Sequence, residues 1–289
     1  MYVLFADTDM DITPEEAEEF GYNLISMPFT IDGKEIYPYE GGKDFDMKSF
    51  YDSLRNGAVP KTSGLSPEMY VDYFEPFFKE GKDVLYVHFS SAMSGTFNSM
   101  RIAEQELKEK YPERKLYSID TRSISVGSLN ILKEIGTLYK KGLSAEDIIK
   151  WSETEIDKFA VYFLADNLSF FRRSGRVNNL AAVFGNLLGI KPIIYIGSDG
   201  VMTSIDKVRG VKATITKILD YVKILQQDIK SHRVIIAHSD NIELASVLAN
   251  KLKEEFGEDL NVETTYVNPT AGCHCGPDCV GVSFYAKHR

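Results

Sequence analysis

The chain has 289 residues, 44% of them hydrophobic and 26% charged, with a formal net charge of −9 at neutral pH. That balance suits a packed fold of one large domain or two modest ones. It argues against general nucleic-acid binding, which starts from a basic footprint. No apolar run approaches the ~18 residues that span a bilayer, and the N-terminus lacks the basic region of a signal peptide, so a cytoplasmic location is the default expectation.

Tyr2–Ala6 reads as a first strand, followed by Asp7-Thr8-Asp9-Met10-Asp11-Ile12-Thr13. Asp9-x-Asp11-x-Thr13 matches the pattern of haloacid-dehalogenase-like phosphatases, where the first aspartate is the nucleophile and Mg²⁺ the cofactor. That chemistry also needs a late acidic pair. The nearest candidate, Ser239-Asp240, supplies one carboxylate, and the strand ends two residues early for the motif. Turn-forming and capping aspartates are the simpler account. In Pro60-Lys61-Thr62-Ser63-Gly64-Leu65-Ser66-Pro67, Ser66-Pro67 reads as an N-cap and the first position of a helix, which leaves Thr62 and Ser63 without a structural task.

Val84–Phe89 reads as a strand that breaks into Ser90-Ser91-Ala92-Met93-Ser94-Gly95-Thr96, and a helix then runs from Thr96 to about Lys110. A strand–loop–helix of this kind gathers backbone N–H groups and hydroxyls at one point, and the helix dipole adds partial positive charge there. A single serine is enough for a helix cap. The density of hydroxyls around Ser91, Ser94 and Gly95 therefore points to an anion site. A serine hydrolase would use the same serines as nucleophiles, but the G-x-S-x-G elbow is absent.

Lys115–Ile119 is the next strand, and a helix over Ser123–Lys141 stops at Gly142. Ser144-Ala145-Glu146-Asp147 resembles a capping box that opens a helix over Ala145–Ile156. This alternation predicts a parallel α/β sheet. Beyond about Lys158 the texture changes to that of an α+β unit, which sets a boundary between 1–157 and 158–289. Ala160–Ala165 is a strand, and Leu168–Arg176 leads into an apolar helix through Leu188. Lys191–Ile196 and Val201–Val208 form a hairpin around Gly197-Ser198-Asp199-Gly200. A helix at Gly210–Asp228, a strand at Arg233–His238, a helix at Ile242–Phe256 and a strand at Asn261–Val267 complete the series. Arg172, Arg173 and Arg176 flank the apolar helix, one facing an anion and others a partner. Arg209, at a strand end, reads as an anion or partner contact near the cleft.

Gly272-Cys273-His274-Cys275-Gly276-Pro277-Asp278-Cys279 holds all three cysteines. Thiols and imidazole are zinc ligand types, but C-x-C-x3-C is not a usual zinc spacing, and four ligands on eight residues would need a tight fold-back. An odd cysteine count fits poorly with a disulfide framework. The expectation is no metal, with His274 a polar loop group able to donate to an anion.

These loops, in this order, resemble the DegV family, the bacterial fatty-acid-binding proteins of the fatty-acid kinase system, over nearly the full length. The family's D-S-T-A-D-L looks like Asp7 through Ile12. Its P-x-T-S-x-P-S-P is similar to Pro60 through Pro67, with Leu65 for a proline, and its S-S-x-L-S-G-T to Ser90 through Thr96, with Met93 for leucine. G-G-R resembles Ser174-Gly175-Arg176, I-K-P-I is present as Ile190-Lys191-Pro192-Ile193, and H-T-G-P resembles His274-Cys275-Gly276-Pro277. The resemblance implies a two-domain α/β protein with a long-chain fatty acid between an N-terminal parallel-sheet domain and a C-terminal α+β domain, the last ~20 residues returning to the interdomain site. It implies that Thr62 and Ser94 hold the carboxylate with His274 nearby, and that Ser63, Gly95, Ser91, Arg176 and Arg209 contribute more weakly. It also implies a carrier without a nucleophile or cofactor of its own. Such a carrier presents the acid to a separate, dihydroxyacetone-kinase-like subunit that makes acyl-phosphate, with transient membrane contact as a route of exchange. Cys273, Cys275, Cys279 and Asp278 depart from the family's usual residues in the last loop.

Overall fold

The structure is a computed structural model that describes residues 1–40, 44–178 and 189–289. β1 (Tyr2–Asp7) leads through a 3-10 turn at Thr8–Met10 into α1 (Pro14–Phe20) and β2 (Tyr22–Ile25). Thr13 caps α1 in a complete box: its Oγ1 accepts the Glu16 N–H at 3.2 Å, and the Glu16 carboxylate accepts the Thr13 N–H at 3.1 Å. A small antiparallel sheet follows, β3 (Phe29–Ile31), β4 (Lys34–Ile36) and β5 (Lys61–Thr62), with α2 (Met47–Arg55) inserted before β5. Then come α3 (Pro67–Lys79), β6 (Asp83–His88), α4 (Thr96–Lys110), β7 (Leu116–Asp120), α5 (Val126–Lys140) and α6 (Ala145–Glu155). The main sheet of this half has the order β2-β1-β6-β7 and is parallel throughout.

The second half is β8 (Phe159–Leu164), α7 (Leu168–Ser174), β9 (Val177–Asn178), β10 (Ile190–Ile196), β11 (Met202–Arg209), α8 (Val211–Leu225), β12 (Val234–His238), α9 (Ile242–Phe256), β13 (Val262–Tyr266), α10 (Pro269–Cys275) and β14 (Val280–Tyr285). These strands form one mixed sheet, β13-β12-β14-β8-β10-β11-β9. The last strand, β14, is antiparallel to both its neighbours in the middle of that sheet. The fold is thus α/β with a parallel-sheet unit and a mixed-sheet unit.

Two local expectations change. α7 stops at Ser174, because Gly175 takes the left-handed conformation at φ 66° and turns the chain into β9. The rest of the expected apolar helix, 179–188, lies outside the described residues. At α6 only half a capping box forms: Ser144 Oγ accepts the Asp147 N–H at 3.1 Å, while the Asp147 carboxylate takes the Ser144 hydroxyl instead of a backbone N–H. Aspartate is one methylene shorter than the glutamate that completes the box at α1.

α5 joins the two units. Its buried positions run almost all round the helix, from Val126 through Gly136, as expected of a helix enclosed on every side. One hydrophobic cluster passes from Leu4 and Phe5 on β1, through Leu129 and Leu132 on α5, to Val161, Ile194 and Ala237 of the mixed sheet. Gly127 allows this closeness, since a Cβ there would lie 2.3 Å from a Val161 methyl and 2.2 Å from Ser123 Oγ. Polar bonds also cross the junction: Ser90 Oγ donates to Gly200 O at 2.8 Å, Tyr51 OH to Val267 O at 2.8 Å, and Asn268 N and Nδ2 to Asp11 at 2.7 Å each.

Candidate functional site

Between the two units lies a cavity of about 420 Å³, within the usual range of small-molecule sites, about 300–1,000 Å³. Its depth is mostly apolar, with Val126, Val161, Phe163, Ala237, Val267 and Val280 among its walls. Its polar groups come from the ends of short elements. Thr62 is at the end of β5, placed by pairing with Phe29 of β3. His274 is in the last turn of α10, whose start is fixed by Asn268, accepting the Ala271 N–H at 2.8 Å, and by Pro269 in the first turn. These two chain positions, 212 residues apart, meet with Thr62 Oγ1 2.9 Å from His274 Nε2.

The hydroxyl-rich loop before α4 supplies the other side. Gly95 is the N-cap and has no side chain to cap the helix, so the first turn relies on its neighbours for partners. Ser94 Oγ accepts the Thr96 N–H at 3.2 Å. Thr96 Oγ1 accepts the Leu65 N–H at 3.0 Å and lies 3.0 Å from Tyr70 OH, which pins the loop after Thr62 against the start of α4. The approach is close: a Cβ on Gly64 would be 3.1 Å from Thr96 Cβ. Thr96 was not singled out from the sequence. Its only signal is a hydroxyl at the first helical position.

Of the residues expected from sequence, Thr62, Ser63, Ser94, Gly95, Arg176 and His274 line this one cavity. Ser91 and Arg209 do not. The Ser91 hydroxyl donates to Asp120 Oδ2 at 2.6 Å and its N–H reaches the same oxygen at 3.2 Å, so Ser91 shapes the loop. Arg209 stands exposed at the end of β11. Arg176 is exposed at the rim and donates to Ser174 O. Arg173 packs over the Phe170 ring, 4.5 Å from its centroid.

Burial, with Arg176 adding to it, lowers His274 from 6.5 to about 4, so its imidazole is neutral at pH 7. With Nε2 protonated, the ring donates to Thr62 Oγ1, and the Thr62 hydroxyl hydrogen is then available to a ligand oxygen. Such a clamp suits a monoanion. A dianionic phosphate would ask for more cationic charge than one rim arginine brings.

The aspartates of the first loop are all buried. Burial raises Asp7 to about 7 against the bonds it accepts from Tyr86 OH, Phe89 N and Asp9 N, and raises Asp11 to about 7 against those from Ser125 and Asn268. Burial and the neighbouring Asp7 push Asp9 well above the carboxylate range. The phosphatase alternative finds no support in this arrangement. Asp240, the late acidic candidate, is engaged by Arg55, and Asp11 is saturated by Asn268 and Ser125. Among the described residues no three His, Cys, Asp or Glu side chains converge as a metal group, and no described helix is long and apolar enough to cross a membrane. The cysteines part company: Cys273 joins Phe29, Phe50, Tyr51 and Phe170 in a separate cluster, while Cys275 and Cys279 line the cavity. Burial pushes the Cys273 thiol up, and the contact with Cys279 followed by burial does so for Cys275, so both are protonated and unreactive.

A family model described as an uncharacterised protein of the DegV family matches residues 2–287. A DegV domain-containing protein of Clostridium perfringens is 32% identical over 284 residues, 98% of this chain and 97% of its own. A fatty-acid-binding DegV family protein from Thermus thermophilus superposes with a TM-score of 0.86 at 23% identity over 99% of each chain. A DegV family protein from Ruminococcus gnavus, solved with vaccenic acid, gives 0.84 at 23% identity over 98% of this chain and 99% of its own. At those identities the two structures speak for the fold, while the family match and the Clostridium relative speak for descent. The chain belongs to the DegV family.

Proposed function

We propose that this protein is a carrier of long-chain fatty acids, divided near residue 157, that holds the acyl tail between its two units. The carboxylate lies at Thr62, Ser94 and His274, with Ser63 and the Gly95 end of α4 beside it. The observation that carries this reading is the neutral Thr62–His274 pair, 2.9 Å apart, in a mostly apolar cavity beside the N-terminal end of α4. Solved relatives of the same fold bind fatty acids, which supports the ligand class.

The division of labour is physical. Each methylene buried contributes roughly 0.8 kcal/mol, so a sixteen-carbon chain gains about 12 kcal/mol gross before the entropy of association is deducted. The tail supplies affinity, and the head group fixes orientation and separates acid from ester. Nothing at the clamp prepares a nucleophile: His274, lowered to about 4, is a weak base at neutral pH. In line with its family resemblance, the protein presents the carboxylate to a separate ATP-dependent kinase that forms acyl-phosphate. Arg176 at the rim and Arg209 beyond it suit contact with that partner or its phosphates. Mass spectrometry of an organic extract of the purified protein tests the reading. A stoichiometric long-chain acid is expected, and protein that is empty and takes up no acid on incubation would refute it.

A further inference from the structure

One polar side chain in the cavity wall is not needed to hold a carboxylate. Asp9 is 5% exposed and lines the cavity, and its Oδ1 is buried without a hydrogen-bond partner among the described residues. Its neighbours are the opposite. Asp7 accepts from Tyr86 OH at 2.9 Å, Phe89 N at 3.2 Å and Asp9 N at 3.1 Å, and Asp11 accepts from both nitrogens of Asn268 and from Ser125. A native interior rarely leaves a buried polar atom unpaired, and the unpaired atom here belongs to the wall of the cavity.

Its position along the cavity is set by α10. Thr270 lines the cavity, is 3% exposed, and donates its hydroxyl to Met27 O at 3.0 Å. It precedes His274 by four positions, so the two share a helix face one turn apart. Ser125, which also lines the cavity, donates its N–H to Asp9 O at 2.9 Å. Asp9, Thr270 and Ser125 thus make a small polar spot one helical turn below the carboxylate clamp, with apolar walls beyond it. An unsubstituted acyl chain would lay methylenes against that spot.

We propose that the cavity is shaped for a fatty acid bearing a hydroxyl group in the carboxyl-proximal half of its chain, with the Asp9 carboxyl as the residue that pairs with that hydroxyl. A hydroxyl has one donor and two acceptor sites, so it pairs with the Asp9 carboxyl in either protonation state. Sites that bond a substrate hydroxyl reject the analogue lacking it far more strongly than apolar pockets reject an extra methylene, because the site's own buried group is left unpaired. The inference rests on the fatty-acid reading above.

The test is competition binding to the delipidated protein. The probes are hexadecanoic acid, the series hydroxylated at successive carbons of its carboxyl-proximal half, and the ω-hydroxy acid. At least one proximal hydroxy acid should bind about tenfold or more tightly than hexadecanoic acid, and the ω-hydroxy acid no more tightly than it. Asp9→Asn should keep the preference, and Asp9→Leu should lose it while retaining hexadecanoic acid. Equal affinity for the parent acid and every proximal hydroxy acid overturns the inference and leaves the carrier reading standing, as does a preference that survives Asp9→Leu. Binding of none of these acids overturns both. Should Asp9→Leu fail to fold, the wild-type comparison decides on its own.

Discussion

The Thr62 and Ser94 hydroxyls and the His274 ring are the smallest unit of the account, and each can be removed singly. Losing a hydrogen bond to a charged group costs about 1.5–3 kcal/mol. Thr62→Ala combined with Ser94→Ala should therefore weaken binding of a long-chain acid roughly 100-fold or more in a fluorescent displacement assay, and unchanged affinity would move the clamp elsewhere. Titration gives a second handle. His274, lowered to about 4, releases its proton in the folded state earlier than in the unfolded chain, so its contribution is lost as pH falls from 6.5 toward 4. Asp7 and Asp11, raised to about 7, act oppositely: the stability of their protonated forms is complete below about 3.8 and is lost as pH rises through 7. The denaturant midpoint should accordingly decline as pH rises from about 4 to about 7, against the opposing His274 contribution, and level off above it, and Asp9→Asn should flatten part of that decline. A wild-type midpoint that climbs steadily to pH 8.5 would contradict the buried-carboxyl picture. Ser91 illustrates what local sequence conceals at this scale. Its partner Asp120 is on the neighbouring strand, brought alongside by the β6–β7 register that pairs His88 with Asp120, and nothing near Ser91 in the chain announces it.

At the scale of elements, the site depends on two loops held together by one side chain. Thr96 receives the Leu65 N–H and meets Tyr70 OH. Thr96→Val keeps the shape and leaves a buried N–H unpaired, a cost of about 1–3 kcal/mol. Thermal denaturation should show a lowered Tm, and acid affinity should fall with it because Thr62 and Ser94 lose their common frame; an unaltered Tm would show that the loops hold without this bond. Long periodic segments were legible from sequence: α4 and α9 have the expected bounds, Thr96–Lys110 and Ile242–Phe256. The short pieces were not. β3, β4 and β5 have two or three residues each, too few for alternation to register. α10 is a seven-residue helix of Pro, Thr, Ala, Gly, Cys and His; its Asn268-Pro269 start was the one available signal. Elements without periodicity thus carry Thr62 and His274, and only the family resemblance linked those residues before the fold did.

For the whole molecule, the central claim is that two units close on one acyl chain and that a neutral clamp recognises its carboxylate. The closure follows from α5, packed on both sheets, and from the return of the chain through α10 and β14 into the middle of the mixed sheet. Periodicity suggested two units, but it said little about how they face each other. That depends on long-range contacts such as Tyr51 to Val267 and Asn268 to Asp11. The most direct measurement compares the affinity of the delipidated protein for hexadecanoic acid and for its methyl ester, in the wild type and in the Thr62→Ala, Ser94→Ala double variant. The account predicts that the wild type prefers the acid by at least about tenfold and that the preference disappears in the double variant. Equal affinity for acid and ester in the wild type would contradict it.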